Sequence, residues 1–461
     1  MRLCAALFIL LLVPAAARCQ QNPAPAAEPP NPPAAQPMSG EAPELTLDEA
    51  IRLSMAKNPS IRTAILDVTQ QEENVAAART QRFPQLQFYA LESFLLTPLS
   101  FEFEKGSLGT LSTGEPIPPK TIDISTGHKL STLLIGQAQQ PLSQLHRINL
   151  GIRGQEVGAE LQREVLRQQR QKVANAVKQA YYALVQTQSS LEAAEETVQF
   201  DRELDRVVGQ NLLQQTALKA DSLKAKAKLA QDEYNALTVR DSLASQKERL
   251  NDLLGRDIRA DFRVSAMPET VAVEENLEAA QNRALAQRPE VRQAKLKVEM
   301  ADYQRRAKKA EYIPDISFTV NYFAPLTVAL FPRNIASVGI LLSWQPFDWG
   351  QKKHQLAQLT QATEEASVNL DEARNQILLD VNNNFRKLQE ARLLLSASQL
   401  AFESEKEKLR DVMNQYKVKA ALLTDLMQEQ ANFSSASSNY QQALANFWTA
   451  KANFEKSLGE D

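Results

Sequence analysis

Hydrophobic and polar residues follow two periods along the chain. In most of it, apolar residues recur every three or four positions, as at Val173, Val177 and Leu184, which is typical of helices. Around Phe88 and Val338, apolar and polar residues alternate, which is typical of strands with one apolar face. The first set of predicted elements is a helix over 47–82, a strand over 85–94, a loop over 95–128, a strand over 129–140, a long helix over 142–210 and a helix over 222–254.

The same order of elements occurs a second time. Residues 47–62 resemble 277–292 at one offset, and Val177 matches Val381 at a second offset. Each offset holds over many positions, so the chain contains an internal duplication with a longer insertion in the first copy. The second set is a helix over 277–312, strands over 315–323 and 336–345, a long helix over 347–415 and a helix over 426–458. We assign the first repeat to 45–255, an equatorial connection to 256–276 and the second repeat to 277–461.

The helix lengths predict a rod. Each long helix would extend roughly 100 Å at about 1.5 Å per residue, and the two shorter helices of each copy together equal its length. We therefore expect the shorter helices to stack end to end beside the long one. Leu184 and Leu191 belong to a heptad seam, and Tyr181 and Val185 begin a second apolar row, which indicates neighbouring helices on both sides. The connection at 256–276 would lie beside the rod near its middle.

The strands predict an assembly of several chains, if they cross a bilayer. One chain supplies four predicted strands of about 9–12 residues, the length of a tilted transmembrane strand. Four strands cannot close into a barrel, and an open edge is excluded in lipid, whereas three chains would supply twelve. A soluble hairpin packed on a helix is the alternative. An aromatic cluster near the strand ends is typical of a membrane girdle, although such clusters also occur in ordinary cores; it comprises Phe323, Phe331, Trp344, Phe347 and Trp349.

Composition and charge narrow the class of protein. The chain has 52 basic and 55 acidic residues and a net charge of −3, so nothing points to nucleic acid as a partner. Aromatic residues make up only 6% and there are 14 glycines, which favours long helices over a sandwich or an α/β core. We predict a fold that is mainly α with a small β part, built from a duplicated helix–strand–strand–helix unit.

The N-terminal region predicts export. Residues 1–17 place Arg2 before an apolar core and three consecutive alanines, which is typical of a secretory signal peptide. Residues 18–44 are rich in proline and predict a disordered linker. Cys19 offers a lipidation site, but Arg18 stands where a small residue is expected, and both interpretations stay open. Beyond the signal no apolar run reaches about eighteen residues, so a membrane role would need strands.

Candidate chemistry is sparse. His128, His146 and His354 are far apart and lack cysteine partners, so a zinc site is not predicted. The sequence has no phosphate-binding Gly-rich loop and no nucleophile motif. Most acidic residues lie among lysines and arginines on predicted helices, which is the pattern of a solvated face. We predict no enzymatic activity, no cofactor and no metal.

The duplicated plan resembles a known family. The stretch 47–61, with Leu-Asp-Glu-Ala-Ile and Asn-Pro-Ser-Ile, and the Leu-Gly pairs at 254–255 and 458–459 are similar to TolC-type outer-membrane efflux channels. The resemblance covers about 45–460. It implies a homotrimer with a twelve-stranded β-barrel in the outer membrane of a Gram-negative-type bacterium and a long α-helical barrel in the periplasm. It also implies a passive duct for efflux or type I secretion, which docks with a periplasmic adaptor and an inner-membrane RND or ABC transporter.

The resemblance also implies roles for the helix tips. Asp425 matches an aspartate of an acidic ring at the periplasmic aperture, where Gln428 occupies the second position and Glu429 is adjacent. Asp221 and Tyr416 match a pair that links the two hairpins. An alternative for both aspartates is helix capping, because a carboxylate accepts hydrogen bonds from free N–H groups at a helix start. The adaptor-docking tips, which lack the family's glycines and have Ala421 where an arginine is expected, are Thr216, Ala217 and Leu218 with Ala420, Ala421 and Leu422.

Two rival functions remain. A periplasmic adaptor also has long helical hairpins, but adaptors need a Gly-rich β-domain that this sequence does not show. A soluble coiled-coil scaffold would not need the alternating strands. We therefore predict the export channel, with an adaptor or scaffold protein as the alternative.

Overall fold

A computed structural model describes residues 43–97, 100–125, 130–215, 218–265, 276–326, 332, 334–418 and 420–460. The predicted signal peptide, nearly all of the linker, Thr216, Ala217 and Phe331 lie outside the described residues. The first repeat contains β1 (Glu44–Leu45), α1 (Leu47–Lys57), α2 (Pro59–Thr80), β2 (Gln85–Phe94), β3 (Ser100–Phe103), β4 (Ile122–Ser125), β5 (Leu130–Pro141), α3 (Leu145–Leu213) and α4 (Lys219–Leu254). The rest contains β6 (Arg263–Val264), α5 (Leu277–Gln287), α6 (Pro289–Lys309), β7 (Asp315–Pro325), β8 (Ile335–Ser343), α7 (Gln351–Lys417) and α8 (Leu423–Leu458). The duplicated, mainly helical plan is confirmed.

The first helix of each repeat is broken, which corrects the prediction of continuous helices over 47–82 and 277–312. Proline has no N–H group and disfavours helical geometry in the preceding residue. Accordingly, Asn58 and Arg288 adopt extended geometry before Pro59 and Pro289, with ψ angles of 127° and 129°. The Asn58 side-chain oxygen then caps α2 by accepting hydrogen bonds from the N–H groups of Ser60 and Ile61, at 2.9 and 3.3 Å.

The break in the first helix receives the end of α4. Gly255 closes α4 with a left-handed φ of 65°, and a Cβ atom there would lie 2.3 Å from the carbonyl oxygen of Lys57. The Asn58 side-chain amide donates a 2.8 Å hydrogen bond to the Leu253 carbonyl. The end of α4 therefore meets the junction of α1 and α2, and α2 and α4 follow one another along α3.

The helices form a wall with a defined lateral order. On one side α3 packs against α2 and α4, and on its other side it packs against α6 and α8. Beyond α6 and α8 lies α7, which contacts both. The two outer positions of the wall are therefore α2 with α4 at one edge and α7 at the other.

The larger apolar core lies near the middle of this wall. It brings together Val177 and Leu184 of α3, Leu254 of α4 and Phe262 of the segment between the repeats. Beside it, β1 pairs with β6 in parallel, and the Tyr181 hydroxyl donates to the Leu45 carbonyl at 3.1 Å. The start of the described chain and the segment before the second repeat are thus held against α3.

One antiparallel sheet contains strands of both repeats. Its order is β2, β5, β7, β8, so the β5–β7 ladder joins the two copies. The outer edges of β2 and β8 have no partner strand within the described chain. The loop predicted over 95–128 contains a separate hairpin of β3 and β4, in which Phe101 pairs with Ile124.

Candidate functional site

The four-stranded sheet has one apolar face and one face that is polar in the rows nearest the helices. Side chains of directly paired residues in an antiparallel sheet point to the same side, so the register defines rows across the strands. The apolar face carries Leu86, Ala138, Val320 and Val338 in one row and Phe88, Gly136, Tyr322 and Ala336 in the next. The polar face carries Gln85, Gln139, Thr319 and Gly339 in one row and Gln87, Gln137, Asn321 and Ser337 in the next.

The apolar face is uncovered in the single chain. Phe88 is 81% exposed and Val338 is 72% exposed. The Phe88 ring lies over Gly136, where a Cβ atom would approach the ring to 3.2 Å. An exposed apolar surface of this extent marks a contact with lipid or another protein.

The described aromatic residues of the predicted girdle do not all lie on the same face of the sheet or in the same element. Trp344 directly follows β8, and the rings of Phe347 and Trp349 meet edge to face with centroids 4.8 Å apart before α7 begins. Phe323 lies instead on the polar face, in a row with Ile135. The register therefore separates Phe323 from the apolar face, contrary to the grouping expected from sequence.

Polar contacts join the sheet to the helices. The Arg147 guanidinium of α3 lies 3.0 Å from the Asp315 carboxylate of β7. The Ser143 hydroxyl donates to the Pro314 carbonyl and accepts from the Ile316 N–H, both at 2.7 Å. These bonds fix the direction in which the sheet leaves the helical wall.

The opposite ends of the helices form a second site, the tip groove. A small apolar cluster of Leu204, Val208, Leu409 and Leu426 holds α3, α7 and α8 together there. Beside it is a groove of about 580 Å³ whose lining includes Asp221 and Tyr416, so the structure brings the predicted linking pair to one place. Burial, followed by the Asp221 charge, raises the pKa of Tyr416 above its ordinary value.

Both tip aspartates have a capping contact. The Asp221 carboxylate accepts from the Leu218 N–H at 3.4 Å, and the Asp425 carboxylate accepts from the Leu422 N–H at 3.1 Å. Asp425 remains exposed to solvent. The capping interpretation is therefore supported for both residues, and the Asp425 side chain is also open to solvent at the tip.

The other predicted tip residues lie nearby. Gln428 donates to the Asn432 side chain at 3.0 Å, and Glu429 accepts from the same side chain at 3.3 Å. Leu218, Ala420 and Leu422 are exposed, and Ala421 lines the tip groove. Of these residues, Ala421 shares the tip groove with the linking pair Asp221 and Tyr416.

Sequence reasoning missed two buried charged groups. Arg288 lies 2.9 Å from Glu290 and 2.5 Å from Asp380 of α7, where it ties the second helix break to the wall. Asp201 and Asp232 are both buried between α3 and α4. Nothing in the spacing of these residues signals their contacts, which depend on how separate helices lie side by side.

Two absences hold for the described part of the chain. It has no group of three or more His, Cys, Asp or Glu side chains that could hold a metal ion. Within the same residues, none of the helices combines the length and the apolar character needed to cross a bilayer.

Solved structures show the same fold. The chain is 16% identical to CusC with a TM-score of 0.73, covering 95% of this chain and 99% of that one. It is 16% identical to the outer membrane protein VceC of Vibrio cholerae with a TM-score of 0.70, covering 90% and 96%. It is 17% identical to the MtrE outer membrane channel of Neisseria gonorrhoeae with a TM-score of 0.71, covering 90% and 89%. No curated protein sequence matches the chain.

Family membership follows from the sequence itself. The profile of the family described as outer membrane efflux protein matches residues 50–256 and 280–460, which are most of both repeats. The matched segments include the sheet, both long helices and both tips. The chain therefore belongs to the outer membrane efflux protein family, and it is a TolC-type outer-membrane efflux channel.

Proposed function

We propose that three copies of this chain close into a ring, with a twelve-stranded barrel in the outer membrane and a helical duct in the periplasm. Channels of this family are generally trimeric. The observation that carries the proposal is that the sheet and the helical wall have their free edges in the same parts of the chain. Strand β2, with one free edge, follows α2 in sequence, and strand β8, with the other, precedes α7. These two helices are also the edges of the helical wall.

Exposed apolar stripes on the wall's edges support this arrangement. On α7, Val368, Leu379, Leu393 and Leu400 are exposed, and at about 100° per residue they share one side of the helix. That side is opposite the one that buries Val381 within the chain. On α4, the exposed stripe comprises Leu223, Tyr234 and Leu237. A head-to-tail ring would bury each stripe against the other edge of the next copy.

The two faces of the sheet assign the inside and the outside of the barrel. Lipid favours the apolar face, so the rows of glutamine, asparagine, serine and threonine line the water-filled duct. The charged residue on this face of the described strands is Asp315, which Arg147 neutralises at 3.0 Å. Transport through this section needs no bond chemistry, as expected for a family of channels without enzymatic activity.

The tip groove supports docking with further components. Its apolar floor, with Leu204 and Leu426, is flanked by Asp221 and Tyr416. Such a groove between antiparallel helices fits the apolar side of an amphipathic hairpin. We propose that a periplasmic adaptor binds there and connects the duct to an inner-membrane RND or ABC transporter, which supplies the energy.

The mass of the purified protein in mild detergent tests the ring. We expect a trimer by light scattering, and expect it to conduct ions across a planar bilayer. Leu237→Glu and Leu393→Glu, which place charge on the two stripes, should each reduce the trimer fraction.

Leu213→Glu is the matched control, because Leu213 is exposed at the tip and lies on neither stripe. It should leave the trimer intact. A wild-type protein that stays monomeric, or one that forms trimers without conductance, would contradict the proposal.

A further inference from the structure

Basic residues collect where the helices meet the sheet. Here α2 and α6 end, and α3 and α7 begin. Exposed or half-exposed basic side chains occur within α3, α6 and α7 and just after α2 at this level, among them Arg82, Arg147, Arg153, Lys309, Lys352 and Lys353. Below the sheet the duct therefore carries a positively charged collar.

The start of α3 differs in charge from the starts of the two tip helices, α4 and α8. A helix N-terminus carries partial positive charge and favours carboxylates. At the tip, α4 and α8 obey this with Asp221 and Asp425 in their first turns. In contrast, α3 has no acidic residue in its first turn and no side-chain cap, and Arg147 and Arg153 follow within it. Asp315 neutralises Arg147, whereas Arg153 shares Glu156 with Arg79, so the net charge beside this helix start stays positive and favours an anion.

A groove at this position has a lining that suits the phosphate headgroup of a lipid. It is lined by Arg82, Leu145, Asn149 and Arg153 and has a volume of about 490 Å³. Within the residues that the structure describes, the Arg82 guanidinium makes no ion pair, while Arg153 lies 3.7 Å from Glu156. Two guanidinium groups and an amide suit a phosphate, and the leucine suits the apolar part of a lipid.

The groove lies on a different side of α3 from the polar face of the sheet. Leu145, Asn149 and Arg153 follow at steps of four residues and therefore share one side of the helix. Gln144 and Ile148 lie on the other side, in a pocket with Ser317 and Gln139 of the polar face of the sheet. The basic groove therefore lies on a different side of α3 from the pocket that the polar face of the sheet lines.

We propose that this groove, termed the Arg82 groove, binds the phosphate headgroup of an anionic phospholipid in the leaflet nearest the helices. The proposal rests on the proposed function, because it takes the apolar face of the sheet to be the lipid-facing one. At the equivalent level of the second repeat, Trp349 lies just before α7 and Lys353 lies in its first turn. Tryptophan and lysine both favour a membrane interface, so the second repeat continues the collar.

The test uses the full trimer in lipid nanodiscs. Native mass spectrometry counts the lipids retained by the trimer from mixtures of phosphatidylglycerol and phosphatidylcholine. We expect the wild type to retain phosphatidylglycerol preferentially. The Arg82→Gln/Arg153→Gln double variant should bind it more weakly, by about fivefold for each lost charge.

The control variants test whether the lipid preference depends on these two arginines and not on exposed charge elsewhere in the chain. Lys224→Gln/Lys226→Gln removes two exposed lysines near the tip and should leave the preference unchanged. The melting temperature in pure phosphatidylcholine shows that each variant is folded, and both arginines are exposed, so we expect no loss there. Arg82→Lys should retain part of the preference because it keeps the charge.

Three results would overturn the proposal. One is an unchanged preference in the folded double variant. Another is inorganic phosphate displacing phosphatidylglycerol at equal concentration, which would assign the groove to free phosphate. The third is a trimer that enters nanodiscs with no lipid preference at all, which leaves the proposed function standing. A chain that never enters nanodiscs as a trimer would refute the proposed function as well.

Discussion

The carboxyl groups of Asp201 on α3 and Asp232 on α4 face each other inside the interface of these two helices. Their side chains belong to residues only 3% and 7% exposed. Burial, a hydrogen bond with Asp232 and the Asp232 charge together raise the pKa of Asp201 to about 7. Burial also acts to raise the pKa of Asp232, but hydrogen bonds from Asp201 and Lys228 outweigh it and lower that pKa. The pair therefore shares one proton and one negative charge, which Lys228 balances from 2.8 Å.

This pair makes stability depend on pH in an unusual direction. Between about pH 4 and pH 7 the folded chain keeps a proton on Asp201 that the unfolded chain has lost, so stability falls as pH rises through this window. The pKa shift corresponds to at most about 4 kcal/mol. We expect Asp201→Asn, which keeps a hydrogen-bond donor toward Asp232, to flatten the change in melting temperature between pH 4.5 and pH 7.5, values chosen at about the limits of the window.

Asp241→Asn is the control for that titration, since Asp241 is an exposed aspartate of α4. It should leave the pH profile of the melting temperature as in the wild type. An Asp201→Asn profile that still falls as steeply as that of the wild type would exclude the shared proton.

The close contact at the end of α4 predicts a severe glycine substitution. Gly255→Ala would place a Cβ atom 2.3 Å from the Lys57 carbonyl oxygen at a φ of 65°. Because that oxygen belongs to the backbone of the helix break, the clash cannot be relieved by a side-chain movement. We expect a loss of roughly 3 kcal/mol or more, measured by thermal unfolding.

Gly151→Ala is the comparison for Gly255→Ala. Gly151 is helical, and a Cβ atom there meets nothing within 4 Å. The substitution should raise stability by about 0.5–1 kcal/mol through helix propensity. Equal effects of the two alanines would argue against the contact between α4 and the helix break.

The contacts of Arg288 predict unequal effects of two arginines, Arg288 just before α6 and Arg292 within it. Arg288→Met would leave Glu290 and Asp380 without their shared partner, and we expect a loss of roughly 1–3 kcal/mol. Arg292→Met removes an ion pair to Glu160 whose side chains are half exposed, and should cost under about 1 kcal/mol. Thermal unfolding of the two variants side by side measures this difference; similar melting temperatures would show that Arg288 does not stabilise the wall.

The exposed carboxylate of Asp425 predicts a change in ion selectivity. In the proposed trimer, Asp425→Asn removes three negative charges from the periplasmic aperture and should lower the cation-to-anion permeability ratio by about twofold. Gln428→Glu should raise the ratio. Reversal potentials in planar bilayers under a salt gradient measure both, and unchanged potentials in both variants would leave capping as the only role of Asp425.

Much of the fold was predictable because the decisive signals are local and repeated. Alternation around Phe88 and Val338 predicted strands, and the duplication predicted the same plan for both halves. The breaks before Pro59 and Pro289 were also visible, since proline cannot continue the hydrogen bonding of a preceding turn. Treating each segment as one helix was an error of interpretation and not a lack of signal.

Other features depend on contacts that the sequence pattern does not carry. The pairing of Asp201 with Asp232 depends on how far α3 and α4 are shifted along one another, and the hydrophobic periodicity of the sequence does not contain this shift. The strands β1 and β6 have two residues each, too few to show alternation. The position of Phe323 on the polar face was within reach, because alternation from Phe318 places odd-numbered residues of β7 on the other side.

The unpaired outer edges of β2 and β8 bear on the order in which the protein folds and assembles. A solitary chain can complete its helical part, which has two buried apolar clusters of its own. In the proposed trimer it cannot complete its sheet alone, because the outer edges of β2 and β8 form hydrogen bonds only with a sister chain. For that trimer we expect insertion into the bilayer to coincide with the meeting of sister chains, with the rod formed first and the pore sealed last.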